Sequence, residues 1–379
     1  MKKRIAIITG FSHSSLVSDS IRYEQPKAFK KAYSQFVKRS NFTIYRYTLI
    51  FDRLTSLRSA CLISIFYLPA LIRYLVKNRF NLIMCGLERP SDLCALIVGK
   101  LMGTPVIVGD NHWYWPNTLL ARLYFPIARL IAKQGTLLSV TKKSAEFWAF
   151  SGVPIKKMRL MTPPDYVPRL EVSDVDINKA EKLKRNLGLE NRKVILYFGR
   201  LIRKKGVEYL IKAFKKASKE YENLFLLIAG DGPERKRLED LCVELDIHNV
   251  HFTGFVKHDG KNAYFYLCDI FVYPSVTLDI PEERPLGVCE AMSLGKPVIV
   301  TKAVGSVNEL VFHGLNGYVV PEKDDEAIYE AIKRLLIDNE LKTKIGKNAK
   351  RTIEMDFAYE KLFNRLSEVI EEGLSFKFR

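Results

Sequence analysis

The stretch YPSVTLDIPEERPLGVCEAMSLGKPVIVTKAVGSVNELVFHGLNGYVV, Tyr273 to Val320, decides how this chain folds. It opens inside DIFVYPS (269–275), whose short apolar and aromatic run reads as a buried strand. Pro285 then precedes a helix of about three turns, and Gly295 with Pro297 stops it. PVIVT (297–301) is apolar and β-branched, the next strand of a βαβ unit. Glu282 and Glu290 therefore fall at the carboxyl edge of a parallel sheet, where open α/β sheets bind their ligands. That edge is a place to hold a phosphorylated ligand.

Upstream, KVILYFG (193–199) reads as a buried strand that delivers Arg200 and then Lys205 and Gly206, and VEYLIKAFKKAS reads as the helix that follows. Two cations beside a glycine and a helix amino terminus supply what a diphosphate needs: charge neutralisation, close backbone approach and aligned N–H groups. The competing reading is a pair of solvated surface charges, as most Arg and Lys are.

The same alternation runs through the whole chain. RIAIITG, FTIYRYTL, NLIMCG, PVIVGD and TLLSV read as strands, with helices expected over 60–78, 90–102 and 117–132 and a last strand at MRLMTP (158–163). PPDYVPRLEVSDVDIN reads as a linker. The second half has strands near 194, 224, 250, 270, 298 and 318 and ends in helices from 324 to 372. Two α/β domains are expected, 1–170 and 171–379, a division that suits 379 residues.

Composition narrows the class. With 47% hydrophobic and 27% charged residues the chain is globular rather than disordered. The formal charge of +18 sits in the first half: residues 1–170 hold 26 Lys and Arg against 8 Asp and Glu, and the remainder holds 34 of each. An excess confined to one domain points to a polyanionic partner, an anionic membrane surface or nucleic acid, with a lysine-rich solubilising face as the alternative. KAFKKAYSQFVKR and YLPALIRYLVKNRF set apolar residues between cations, the composition of an interfacial surface, though core packing explains the apolar positions equally well.

The six cysteines, Cys61, Cys85, Cys94, Cys242, Cys268 and Cys289, form no CxxC pair and read as reduced, buried thiols of a cytoplasmic protein. MKKRIAIITGFSHSS reads as a first strand and not a signal peptide. The best candidate for a membrane span, ACLISIFYLPALI, has 13 residues and contains Pro69, against the roughly 20 needed to cross a bilayer.

FGRLIRKKGVEYLIKAF, LLIAGDGPERKRLE, VHFTGFV, the Glu282/Glu290 pair with its EAMSLGKPVIVT tail, and GSVNELVFHGLNGYVV follow one another from about Val194 to Val320. In that order they resemble the donor half of GT-B glycosyltransferases, the retaining family-4-like branch (glycosyl transferases group 1). The resemblance implies two Rossmann-like doubly wound domains facing a central cleft: an N-terminal acceptor domain and a C-terminal nucleotide-sugar domain whose last helix, in FAYEKLFNRLSEVIEEGL, crosses back to the first. It implies a cytoplasmic enzyme, peripheral at the inner face of the cell membrane. Such an enzyme moves a sugar with retention from a nucleotide diphosphate sugar to a glycan or lipid-linked acceptor.

It also implies roles. Arg200 and Lys205 stabilise the diphosphate leaving group as its charge grows. Glu290, expected in the first turn of its helix, accepts hydrogen bonds from the ribose hydroxyls, and Glu282 contacts the donor sugar. For Glu290 the competing reading is a carboxylate that merely favours the helix dipole. Gly199, Gly230, Leu286, Gly287, Gly305 and Glu309 line the donor, and His112 faces the donor sugar from the first domain; apart from the resemblance, Gly10 ends the opening strand, and TGFSHSS reads as placing backbone N–H groups near the phosphates or acceptor. WYWP (113–116) stacks on an acceptor sugar, dips into a lipid interface or anchors its loop.

The chain departs from the family wording of glutamate, any residue, phenylalanine, glycine. It reads Glu282, Glu283, Arg284, Pro285, with Gly287 displaced by two positions, so Glu283 competes with Glu282 as the first glutamate. No metal cofactor is expected, because the cation pair replaces one and the lone DxD-like triplet, Asp174-Val175-Asp176, falls in the linker as a structural, solvent-facing pair. A nucleotide-sugar epimerase on the same fold is an alternative, although its acid/base carboxylates and histidine are not evident. A nucleic-acid-binding protein with a non-catalytic donor site is another, unsupported by any nucleic-acid motif.

Overall fold

The computed structural model describes residues 2–8, 42–47, 68–87, 90–110, 119–139, 142–160, 170, 172, 175–257, 260–278, 286–305, 307, 309–356 and 359–375. The chain divides into two units, residues 1–166 with 358–379 and residues 167–357.

In the first unit β1 (Lys3–Ile8), β2 (Phe42–Tyr47), β3 (Leu82–Cys85), β4 (Val106–Asp110), β5 (Thr136–Ser139) and β6 (Met158–Leu160) form one sheet in the order β2-β1-β3-β4-β5-β6. Every pairing is parallel, with Ile5 opposite Leu82 and Ile83 opposite Val106. The crossovers contain α1 (Leu68–Asn78), α2 (Pro90–Leu101), α3 (Leu119–Gln134) and α4 (Lys142–Phe150). Because strand side chains alternate faces, neighbours reveal which face each helix covers. A Cβ on Gly99 of α2 would meet Val106 and Ile83, and one on Gly135, just after α3, would meet Val108. Gly373 faces Leu82 and Ile107, the residues of the opposite face.

The second unit starts earlier in regular structure than the linker reading allows. Asp176 of the DxD-like triplet caps α5 (Ile177–Asn186), accepting from the Lys179 N–H at 3.1 Å, so its carboxylate has a helix-capping role. Then come β7 (Lys193–Phe198), α6 (Val207–Glu220), β8 (Leu224–Ala229), α7 (Arg235–Glu244), β9 (Val250–Phe252), α8 (Lys261–Leu267), β10 (Ile270–Tyr273), α9 (Leu286–Ser293), β11 (Val298–Thr301), β12 (Tyr318–Val320), α10 (Asp325–Ile337) and α11 (Asn339–Asp356). All six strands expected in this half are present, in the parallel order β12-β11-β10-β7-β8-β9. β8 is buried along its whole length, and α6 buries Val207, Leu210, Ile211, Phe214 and Ala217 at helical spacing against the sheet. The chain winds outward from β7 in both directions, so its switch point lies between β7 and β10.

α9 is shorter than expected. It has 8 residues and ends where Gly295 turns left-handed at φ 71°. Glu290 is its fifth residue, in the second turn rather than the first, so the helix dipole has little hold on it. The last helix, α12 (Tyr359–Ser375), belongs to the first unit, where Glu372 accepts from Arg159 Nε at 2.6 Å. That bond holds the Glu372 carboxyl below the usual carboxylate range. The five described cysteines are buried and form no disulfide, and burial pushes the Cys242 and Cys268 thiols up to about 12. They are thus protonated and unreactive at neutral pH. No described helix is long and apolar enough to cross a membrane.

Candidate donor site

Two loops meet at the switch point of the second sheet. The loop after β7 makes a single 3-10 turn, Arg203–Lys205, and the left-handed Gly206 (φ 60°) then starts α6. The Val276 N–H, just after β10, donates to the Lys204 carbonyl at 2.9 Å. A Cβ on Gly206 would stand 2.1 Å from the Pro274 carbonyl oxygen. Gly206→Ala must therefore part the loops as well as hold a left-handed residue, and is expected to cost at least about 1–3 kcal/mol of stability. A urea unfolding midpoint equal to that of the parent would refute this account of the loop contact.

That contact brings Lys205 to β10. Its Nζ hydrogen-bonds the Tyr273 hydroxyl and lies 4.7 Å from that ring's centroid, and both residues are buried. Tyr197 stacks on Tyr273 with centroids 6.3 Å apart, and its hydroxyl donates to the Arg200 carbonyl at 2.9 Å. The two tyrosines thus position both cations: Lys205 through its ammonium, Arg200 through its backbone. Arg200 itself is exposed, whereas Lys205 is not the solvated charge of the competing reading. Beside them, a Cβ on Gly230 would stand 1.9 Å from the Gly199 carbonyl oxygen, so a glycine there lets the chain ends of β7 and β8 close on each other. The ladder continues past the strands, with Gly199 N–H donating to the Ala229 carbonyl and Leu201 N–H to the Asp231 carbonyl, each at 2.9 Å.

Glu290 is buried in α9, and its carboxylate pairs with Lys261, the first residue of α8. Burial raises the Glu290 carboxyl above its usual range, and Lys261 pulls it back part of the way. Ser293 donates to the Glu290 carbonyl at 2.7 Å and accepts from the Leu170 N–H at 2.9 Å, which fixes the end of α9. A carboxylate held this way, with a cation on one side, is a strong acceptor for hydroxyl groups.

The remaining expected residues divide clearly. Gly287 lies under α9, where a Cβ would come within 3.1 Å of the Phe271 ring and 3.6 Å of the Phe198 carbonyl oxygen. It therefore serves close packing of the helix on β7 and β10. Leu286 is exposed at the start of α9, Gly305 is buried in the turn after β11, and Glu309 is half-buried beyond it. Gly10, His112 and Glu282 lie outside the described residues, as do Glu283, WYWP and KAFKKAYSQFVKR. Among the described residues no three His, Cys, Asp or Glu side chains gather as a metal site would require.

Three contributors escaped the sequence reading. Tyr273 stands first in the stretch that decides the fold, yet was counted only as a strand residue. Lys261 lies 29 positions before Glu290, too far for any local spacing to connect them. Glu322 accepts from Thr277 N–H at 2.6 Å and Thr277 Oγ1 at 2.8 Å, anchoring the loop that leads toward Glu282.

Residues 179–352, which contain every described element of this site, match the family described as glycosyl transferases group 1. Residues 179–352 thus form a region of the glycosyl transferases group 1 family. Among relatives, it is 29% identical over 265 residues to the alpha-D-kanosaminyltransferase of Streptomyces kanamyceticus, covering 67% of each chain. It is 33% identical over 187 residues to the lipopolysaccharide core biosynthesis glycosyltransferase LpsD of Rhizobium meliloti, 48% of this chain and 50% of that one. The chain spans about half the length of three of the curated relatives it matches and two thirds of the kanosaminyltransferase. Over 98% of its own length and 100% of the other it superposes on Anabaena HepE, solved in complex with UDP, with a TM-score of 0.71 at 16% identity. That likeness gives the fold, GT-B.

Proposed function

We propose that this chain transfers a sugar, with retention, from a nucleotide diphosphate sugar held by the second unit to a glycan or lipid-linked acceptor held by the first. The observation that carries the reading is the Lys205–Tyr273 contact at the β7/β10 switch point, with Gly206 and the amino terminus of α6 beside it. As the anomeric bond breaks, negative charge grows on the β-phosphate oxygens. An ammonium held in place before the reaction stabilises that charge without reorganising. Arg200 adds a second cation from the solvent side, and Glu290 accepts from the ribose hydroxyls. From the resemblance alone we further assign Glu282 to the donor sugar and His112 to a supporting role there. Gly199, Gly230, Gly305 and Glu309 are assigned to the phosphate or base edge, and Gly10, by sequence alone, to the phosphates or the acceptor.

A lipid-linked or polysaccharide acceptor accords with the lipopolysaccharide-core role named for LpsD and with the basic first unit. A cytoplasmic enzyme acting at the inner face of the membrane suits the buried, unpaired thiols and the absence of a spanning helix among the described residues.

Thermal stabilisation by UDP-, GDP-, ADP- and dTDP-sugars, with free nucleotides as controls, tests this. UDP leads the panel because HepE was solved with it. At one hundred times its dissociation constant the matching donor adds about 2.7 kcal/mol to the folded state. With two side-chain cations on the diphosphate, transfer of that donor's sugar is expected to persist in chelator. No shift with any donor, or complete loss of transfer in chelator, contradicts the assignment.

A further inference from the structure

The outer layer of the first unit combines exposed cations with exposed apolar side chains. α1, α2 and α3 lie side by side on one face of the sheet, with α1 against α2 and α2 against α3. α1 and α3 contain no Asp or Glu, and the sole carboxylate of α2, Asp92, is fully buried on the Gly86 N–H. Their solvent faces instead carry cations. Arg73 and Lys77 are exposed on α1, Lys100 on α2, and Arg122 and Arg129 on α3.

Between these cations stand large apolar side chains that the core does not use. Ile72 and Val76 are exposed on α1, Leu101 is 82% exposed at the end of α2, and Leu123 and Leu130 flank the arginines of α3. α4 packs on α3 through Phe125, Phe147 and Trp148, and its last residue, Phe150, is 93% exposed. Two residues on, a Cβ on Gly152 would lie 2.8 Å from Arg129 Nη2 and 3.4 Å from Lys133 Nζ, so two cations converge on the turn that follows Phe150.

We propose that this face, formed by α1, α2, α3 and the tip of α4, docks on an anionic lipid bilayer, with the aliphatic residues and Phe150 entering the headgroup boundary and the cations pairing with lipid phosphates. Charge complementarity selects an anionic partner. The apolar residues between the cations select a bilayer over nucleic acid, since phosphate contacts make no use of exposed leucines or isoleucines. The layer spans three neighbouring helices of one face. The inference does not depend on the transfer reaction, because none of these residues belongs to the donor site.

Sedimentation of the full chain with vesicles tests it, using equal parts phosphatidylglycerol and phosphatidylcholine against phosphatidylcholine alone. Binding is expected to the anionic vesicles only and to weaken in high salt. Ile72→Glu/Leu123→Glu and, separately, Phe150→Glu are expected to weaken it about tenfold or more, as is Arg73→Ser/Arg122→Ser. Val243→Glu/Ile337→Glu, at apolar positions 79% and 64% exposed on the second unit, should leave it unchanged. Equal binding by all variants, or no binding to anionic vesicles, overturns the proposal. Loss in the arginine variant alone, with RNA competing, overturns it in favour of nucleic acid. Thermal stabilisation by nucleotide-sugars is recorded on the same proteins. Donor binding without vesicle binding sinks this inference alone, and vesicle binding without donor binding sinks only the transfer reading.

Discussion

Lys205→Met lowers turnover of the matched nucleotide-sugar by a factor of about a hundred to a thousand, the loss seen when one preorganised charge-stabilising group is removed from a transition state. Methionine keeps much of the aliphatic stem that passes Tyr273 and removes only the charge. The cost to folding is small, because a buried ammonium sacrifices hydration that methionine never had. Arg200→Ala provides the comparison. Its side chain is exposed, and its backbone is held by Tyr197 whatever the side chain is. It therefore folds like the parent, loses donor affinity, and loses less turnover than Lys205→Met. Steady-state kinetics on both, with unfolding curves alongside, separate the two roles. Lys205→Met retaining turnover within about threefold, below even the general contribution of such groups, would remove the diphosphate assignment at its centre.

The reach of the sequence follows from the range of the forces involved. β7, β8 and β10 are continuous apolar runs flanked by turn residues, a local signal, and each was placed to within a residue or two. Gly206 was legible because the chemistry of a left-handed turn before a helix leaves few alternatives. The stop at Gly295 is legible from the glycine and Pro297, but EAMSLG looks helical right up to it whereas α9 ends at Ser293, and the close packing of Gly287 depends on tertiary neighbours. α5 was missed for a different reason. An acidic, proline-containing stretch reads as a linker until Asp176 is recognised as the cap of the helix behind it. Lys261 and Tyr273 could not have been found from spacing, since each matters only through a partner that the sheet topology brings to it. The solvent face of α1 to α3 was legible as composition, but core packing explained its apolar residues equally well until their exposure was known.

The ion pair between α8 and α9 makes the sharpest pH test. Lys261→Met leaves the Glu290 carboxylate buried without its cation, and breaking a buried pair on one side costs about 3–5 kcal/mol. Burial already raises the Glu290 carboxyl, and the loss of Lys261 raises it further. A raised folded-state value means that the folded protein holds this proton more tightly than the unfolded chain does. The deficit of Lys261→Met is thus smallest below the ordinary carboxylate value of 4.5 and grows as pH rises through the raised one. Urea unfolding at acid, neutral and mildly alkaline pH measures it. A deficit that stays constant or shrinks with rising pH would mean that Glu290 is not the group left behind. Lys261→Met/Glu290→Leu removes the stranded charge and recovers stability at alkaline pH, since a well-packed apolar pair replaces a buried ion pair at little or no cost. It does not recover donor binding, because leucine offers the ribose hydroxyls no acceptor. With Glu290 as the proposed ribose acceptor, donor affinity of the parent is expected to fall as pH drops through the raised value, where protonation turns an acceptor for two hydroxyls into a group that must donate as well. A cycle in which the double variant regains both stability and donor binding would leave the Lys261–Glu290 pair a structural clasp and move the ribose contact elsewhere.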